Sequence, residues 1–122
     1  MKKAILAALV LAVIAAPVLA QDPVKVDSKH YKVEFENDVV RVLRITYGPG
    51  EKSVMHEHPD AVATFLTDSK SQFHLPDGSK TPNDMKKGSV LFTPAGKHLP
   101  ENTGDKPFEL ILVEIKTKAP AK

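Results

Sequence analysis

Two short segments of this sequence carry residue types that could perform chemistry. The first ends in His56-Glu57-His58, and the second contains Gly96 and His98. Side chains alternate along a β-strand, so two histidines separated by one residue project to the same face if they lie on a strand. A third histidine on another strand could complete a facial set of three nitrogens around a transition metal ion. The spacing therefore predicts a metal site built on His56 and His58.

The segments around these histidines are typical of an all-β protein. Short runs that are apolar, or that alternate apolar with charged residues, are separated by residues that favour turns. After residue 20, no segment shows an apolar stripe of helical period and length. Segment 108–115 is too apolar for a half-exposed strand and is expected to lie centrally in a sheet. The predicted strands are 31–36, 39–47, 53–58, 62–67, 71–75, 89–93, 98–102 and 108–116, which favours a sandwich or a small barrel.

The first twenty residues are typical of a secretory signal peptide. Lys2 and Lys3 form a positive start, residues 4–16 are an unbroken apolar run, and Val18 and Ala20 are the small residues of a cleavage site. The run is too short to span a bilayer. We predict a signal peptide at 1–20 and a single mature domain at 21–122, with its core at about 31–116. The mature protein is expected in the periplasm or outside the cell, without stable membrane insertion; an uncleaved anchor helix is the alternative.

The charge balance argues against nucleic acid as a partner. The sequence holds 17 lysines and arginines against 15 aspartates and glutamates, and Lys2 and Lys3 account for the whole excess. A neutral, well-mixed surface offers no electrostatic attraction to nucleic acid or to an anionic membrane. The sequence has no cysteine, so an oxidising compartment would provide neither disulfides nor thiolate ligands. A small-molecule ligand and a homodimer remain as expected partners.

The two histidine segments resemble the paired motifs of the cupin superfamily. Gly50 and His56-Glu57-His58, separated by five residues, follow the first motif. The second motif is followed by Gly88, Pro94-Ala95-Gly96, His98 and Asn102, with one residue fewer before the histidine. The resemblance implies an all-β fold, an antiparallel double-sheet jelly-roll barrel. It also implies that His98 lies opposite His56 and His58 and completes the site of a divalent transition metal: Fe, Mn, Ni, Cu or Zn.

The carboxylate ligand of the superfamily is missing from this sequence. The glutamate of the first motif falls on Val62 if three residues separate it from His58, and the closing glycine falls on Ser69. The remaining three-histidine set is similar to the site of thiol dioxygenases within the superfamily. Such a set contributes no negative charge, so a divalent metal there would favour an anionic ligand or substrate. Asp60 or Glu101 stays open as a substitute fourth ligand.

Other charged residues are assigned by strand alternation. His74 and Glu57 are predicted to point away from the cavity. Arg41 and Arg44 have opposite parity, so at most one of them can face the cavity. No role is assigned to His30.

Three functions remain open from the sequence. The first is a metal-binding protein with a small-molecule ligand in the barrel, which we favour slightly. The second is a metal-dependent enzyme of dioxygenase or isomerase type, and the third is a degenerate, metal-free cupin that serves as a structural or dimerising module. The three retained histidines favour the first two, whereas the missing carboxylate favours the third.

Overall fold

The structure is a computed structural model that describes residues 21–117. The predicted signal peptide at 1–20 lies outside the described residues, as does segment 118–122, so signal cleavage stays a prediction. In the described part, no helix is long and apolar enough to cross a membrane. The elements are α1 (Pro23–Val26), β1 (Tyr31–Glu36), β2 (Val40–Tyr47), β3 (His56–His58), β4 (Ala61–Phe65), β5 (Ser71–His74), β6 (Lys80–Pro82), β7 (Val90–Thr93), β8 (Gly96–Asn102) and β9 (Phe108–Ile115).

The strands form two antiparallel sheets. The five-stranded sheet has the order β1-β2-β9-β4-β7, and the four-stranded sheet has the order β3-β8-β5-β6. This arrangement confirms the prediction of an all-β double-sheet fold. Strand β9 is the third of five strands and pairs with β2 on one side and β4 on the other, as its apolar sequence predicted.

The structure differs from the predicted elements at several boundaries. Strand β3 covers only His56–His58 of the predicted 53–58, and β4 begins at Ala61 rather than at residue 62. Strand β6 was missed because it is short and exposed, so it has no apolar pattern. Helix α1 was also missed: one turn is too short to show a period, although Asp22 caps it and Pro23 occupies its first turn.

The hydrophobic core lies on the inner face of the five-stranded sheet. Alternation buries one residue in two along β4 and β9, and along β2 from Leu43 onward, as expected for strands with one face on a core. Glu114 continues the inward series of β9, and only 2% of its surface is exposed. The buried apolar residues are Tyr31, Leu43, Ile45, Tyr47, Ala61, Ala63, Phe65, Phe108, Leu110 and Leu112.

A bulge in β1 changes the face on which Phe35 lies. Val33 pairs with Leu43, whereas Phe35 pairs with Val42 because the register shifts between them. Directly paired residues share a face, and Leu43 is in the core, so Val33 is on the inner side. Regular alternation would place Phe35 there as well; the extra residue turns it to the outer face.

Candidate metal centre

The structure brings together the three histidines predicted as ligands. His56 and His58 occupy the two ends of β3, and His98 lies on the neighbouring strand β8, directly paired with His56. One nitrogen of each ring lies within 4.8 Å of those of the other two. His56 and His58 are buried and His98 is half-buried. Among the described residues, this is the cluster of potential ligands in which three side chains converge.

The rings of His56 and His58 face each other through Nε2. The two Nε2 atoms are 3.0 Å apart. Nδ1 of His56 is 2.8 Å from the carbonyl oxygen of Val54, and Nδ1 of His58 is 2.7 Å from Oε2 of Glu114. A carbonyl and a carboxylate only accept hydrogen bonds, so each Nδ1 donates, and each ring in its neutral form presents an Nε2 lone pair. At this distance the two Nε2 atoms share a proton in a hydrogen bond, and a metal ion can take the place of that proton when both rings are neutral.

The separation of the two Nε2 atoms suits ligands of one ion. Imidazole nitrogens bind Zn²⁺ at about 2.0–2.1 Å, so two of them lie about 2.9 Å apart at a right angle about the ion and about 3.3 Å apart at the tetrahedral angle. The observed distance is 3.0 Å. This geometry can hold a divalent metal between His56 and His58.

Glu114 connects His58 to a charged network that the sequence analysis missed. Nε of Arg41 donates to Oε1 of Glu114 at 2.7 Å, and Nη1 and Nη2 donate to the carboxylate of Asp22 at 2.8 and 3.0 Å. Burial raises the pKa of Glu114, but the hydrogen bonds from His58 and Arg41 outweigh it and hold that pKa below its usual range. Glu114 is therefore an anion that orients His58. The sequence did contain one signal for Glu114: it is a charged residue at an inward position of a central strand.

His56 is supported by a second set of contacts from the N-terminal segment. The hydroxyl of Ser53 donates to Asp27 at 2.5 Å and lies 3.3 Å from Nδ1 of His56. The same carboxylate accepts a hydrogen bond from Nδ1 of His30 at 2.7 Å. His30, to which the sequence analysis assigned no role, is buried and stacks on Tyr47 at a centroid distance of 4.2 Å. The segment from Asp22 to His30 therefore supports both histidines of β3.

His98 is the least constrained of the three histidines. Its Nε2 is buried without a hydrogen-bond partner among the described residues, and its ring lies 4.4 Å from that of Phe73. Burial, followed by the nearby His58 and His56, lowers the pKa of His98 to about 3. Burial and the neighbouring His58 lower the pKa of His56 to about 4. Both rings are therefore neutral near pH ~7, as metal ligation requires.

A cavity of about 340 Å³ adjoins the histidines. His58 and His98 contribute to its wall, whereas the remaining wall is largely apolar. Lys97 is among the lining residues, but it pairs with Glu57 and has opposite parity to His98, so its side chain lies on the outer side of β8. Apolar walls with a few convergent polar groups are typical of small-molecule sites. The other apolar contributors include Ile45, Ala63, Phe65, Phe73, Leu75, Leu91, Leu110 and Leu112.

The structure corrects the position assigned to the missing carboxylate. Val62 pairs with Val113 and Phe92 on the outer face of the five-stranded sheet, so its side chain points away from the histidines. Ala63 is buried on the inner face and lines the same cavity as His58 and His98. Four residues separate His58 from Ala63. The interpretation of Val62 as the vacant position was wrong, because the turn after β3 is one residue longer than the three-residue spacing assumed from the sequence.

Neither acid proposed as a substitute ligand joins the cluster. Asp60 is exposed and accepts a hydrogen bond from the backbone nitrogen of Ala95 at 2.8 Å. Glu101 accepts from Gln72 and from Nε2 of His74, at 2.9 and 2.7 Å. Glu101 has opposite parity to His98 on β8, so it lies outside the cavity with His74. The outward orientation predicted for His74 is confirmed.

The two arginines of β2 also follow the alternation. Arg41 lies on the inner side, where Glu114 and Asp22 bind its guanidinium group. Arg44 lies on the outer side and forms ion pairs with Glu34 and Glu109. At most one arginine was predicted to face the cavity. Arg41 is the one on the inner side, but it binds Glu114 and does not line the cavity.

Solved structures resemble this fold, whereas sequence comparison does not identify a family. No protein-family model matches the chain, and no curated protein matches it. A cupin domain from Bordetella pertussis Tohama I is 26% identical and has a TM-score of 0.66, covering 71% of this chain and 92% of that chain. An uncharacterized conserved protein with a double-stranded β-helix domain from Klebsiella pneumoniae is 23% identical, with a TM-score of 0.57 and coverages of 70% and 74%.

An archaeal structure extends the similarity. An RmlC-like cupin family protein with a double-stranded β-helix fold from Methanocaldococcus jannaschii is 19% identical, with a TM-score of 0.55, covering 73% of this chain and 83% of that chain. The two antiparallel sheets agree with these similarities. The chain therefore has the double-stranded β-helix fold of small cupin domains.

Proposed function

We propose that this protein binds a divalent transition metal through His56, His58 and His98, with a small molecule in the adjoining cavity. The observation that carries the proposal is the 3.0 Å approach of two Nε2 atoms in rings whose Nδ1 atoms both donate elsewhere. A metal ion can replace the proton that these two Nε2 atoms otherwise share. The unpartnered Nε2 of His98 supplies a further buried nitrogen beside them.

The donor set narrows the range of metals. Imidazole nitrogens suit Zn, Cu, Fe and Ni, whereas Mn favours carboxylate and water oxygens. No carboxylate is among the three clustered ligands. We therefore place Zn, Cu, Fe and Ni ahead of Mn. Three protein ligands leave further coordination positions for water or a bound molecule.

The cavity defines the chemistry of the proposed ligand. Three neutral histidines leave the full charge of a divalent ion uncompensated among its direct ligands. Ile45, Phe65 and Leu110 are among the apolar side chains of the remaining wall. A small molecule with an apolar body and one anionic group suits both parts.

Metal analysis of the untagged protein tests this function. The wild type should retain a divalent transition metal after purification, and the double variant His56→Ala/His58→Ala should not. His74→Ala is the matched control, because His74 lies outside the cavity and pairs with Glu101. Negligible metal in both the wild type and the double variant, including after incubation with Zn, Cu, Fe and Ni salts, would favour the degenerate, metal-free cupin.

A metal-dependent enzyme is the second candidate. A cavity of about 340 Å³ beside His58 and His98 could position a substrate against an open coordination position, where the metal supplies Lewis-acid polarisation or oxygen activation. The metal-binding protein and the metal-dependent enzyme differ in whether the bound molecule is converted to a product. Consumption of an apolar carboxylate by the metal-loaded protein, absent from His56→Ala/His58→Ala, would identify an enzyme.

We also propose that the mature protein is periplasmic or secreted. The support is the sequence pattern of residues 1–20: a positive start, an apolar run and small residues at positions 18 and 20.

A further inference from the structure

The outer face of the five-stranded sheet carries apolar side chains across every strand. The register places Phe35 beside Val42, Val113 beside both Val42 and Val62, and Phe92 beside Val62. Directly paired residues share a face, so these five side chains form one continuous row from β1 to β7, which we call the outer row. Phe35 is 53% exposed and Phe92 is 57% exposed.

Neighbouring side chains widen the outer row into a patch. Val90 and Ile115 are exposed, and Ile111 lies half-buried beside them. Two half-exposed phenylalanines contribute roughly 200 Å². With the aliphatic side chains around them, the apolar patch is on the order of 500 Å², at the upper end for the surface of a monomer. Together with its polar border, it approaches the ~800 Å² per partner of a stable interface.

Several charges at the border of this patch are paired within the chain. Arg44 binds Glu34 and Glu109, and Lys116 binds Glu36. The outer row itself contains no charged residue. A partner that fits this face is therefore flat and apolar rather than oppositely charged.

The composition of the outer row suits a second copy of the same chain. The row begins and ends with phenylalanine and has three valines between, with Val113 on the central strand β9. A two-fold axis that runs along β9 in the interface sets Phe35 of one copy against Phe92 of the other, and each Val113 against its counterpart. A two-fold interface requires such self-complementarity.

The bulge in β1 is a second indication that a partner covers the outer face of this sheet. It turns Phe35 away from the inner side and into the outer row, where it would remain half-exposed in a monomer. Bulges that re-aim a side chain are built features of a sheet rather than defects. We propose that the outer row joins two copies of this chain face to face in a symmetric dimer.

Sedimentation velocity of the protein as recovered from the cell, with its N-terminus identified by mass spectrometry, tests the proposal. The wild type should sediment as a dimer over a wide concentration range. Phe35→Lys and Val113→Lys should each raise the dimer dissociation constant about thirtyfold or more, the effect of losing a central apolar contact. Val33→Lys is the matched control: this valine is on the same strand and 44% exposed, but on the opposite face, so the dimer should persist.

Two results would overturn the proposal. The first is a wild-type protein that is monomeric at every concentration. This result would overturn the dimer whether the outer row is exposed, covered by residues 1–20 or covered by another protein. The second is a dimer that survives both Phe35→Lys and Val113→Lys with an unchanged far-ultraviolet circular dichroism spectrum, because another surface would then join the copies. Phe92→Lys repeats the test on the opposite edge strand if either variant fails to fold.

Discussion

Glu114 accepts a hydrogen bond from Nδ1 of His58 at 2.7 Å, although the two residues belong to different sheets. The carboxylate therefore contacts the side of the His58 ring that faces away from the position where a metal would bind. It fixes which nitrogen of His58 carries the hydrogen and increases the electron density on the other. A chain without a carboxylate at the inner position Ala63 thus still places a negative charge behind one of its candidate ligands.

The first prediction concerns this carboxylate. Glu114→Gln should lower the affinity for Zn²⁺ or Co²⁺ by about 10- to 100-fold, because His58 would lose its anionic acceptor. Glu109→Gln is the control: it lies on the same strand but on the outer face, with Arg44. A competition titration with a coloured chelator measures both. Equal affinity in the wild type and Glu114→Gln would show that the hydrogen bond does not support a ligand.

The second prediction concerns the stability of the metal-free protein. The pKa values of His56 and His98 are lowered to about 4 and about 3, whereas an unfolded histidine titrates near ~6.5. The unfolded chain therefore binds more protons between these values. The free energy of unfolding should be highest above about pH 6.5 and fall by up to about 1.4 kcal/mol per pH unit for each histidine as the pH decreases.

Urea denaturation in the presence of a chelator measures this dependence. His98→Gln should reduce the slope by about one proton, because one of the two low-pKa groups is removed. His74→Gln, on the outer side of β5, should keep the wild-type slope. A flat stability profile between about pH 4 and pH 6.5 would contradict the neutral burial of His56 and His98.

The third prediction concerns proton competition with the metal. Three ordinary imidazoles would lose affinity steeply below about pH 6, because each would have to release a proton. His56 and His98 already lack that proton, since burial lowers the pKa of both. Zn²⁺ affinity should therefore fall by no more than about tenfold per pH unit between about pH 7 and pH 5, as for release of a single proton. Isothermal titration in buffers of different ionisation enthalpy counts the protons; two or three would contradict this prediction.

The fourth prediction separates the inner and outer faces of β4. Ala63→Glu should add an oxygen ligand beside the cluster and raise the affinity for Mn²⁺ and Fe²⁺ more than for Cu²⁺. The buried carboxylate should destabilise the metal-free protein by several kcal/mol unless it protonates. Val62→Glu should leave metal affinity unchanged but dissociate the proposed dimer, because Val62 lies in the outer row. Metal titration and sedimentation of both variants test the assignment; a Val62→Glu protein that gains Mn²⁺ affinity would reverse it.

The fifth prediction concerns the N-terminus. The small residues Val18 and Ala20 predict cleavage after Ala20, so the exported protein should begin at Gln21. Intact-mass measurement of the periplasmic or secreted fraction, which also detects cyclisation of Gln21, is the check. A membrane-retained chain beginning at Met1 would contradict it.

The sequence predicted the features that depend on local alternation. His56 and His58 share a face because their spacing matches the strand period, and the apolar run of β9 indicated its central place. The face on which Val62 lies could not be predicted in this way, because one residue more or less in the preceding turn reverses the face of every following side chain. The inward position of Glu114 on a central strand was visible in the sequence, but its partner His58 was not, because neither spacing nor composition encodes which strands meet across the two sheets.

The bond between Glu114 and His58 also bears on the order of assembly. His58 lies on the third strand of the chain, whereas Glu114 lies near the end of the ninth. The carboxylate can reach the histidine only after almost the whole described chain has emerged and both sheets have closed. Such distant contacts form late in folding. A metal ion that meets an incomplete chain would find an unoriented His58, so tight metal capture would report that folding is complete.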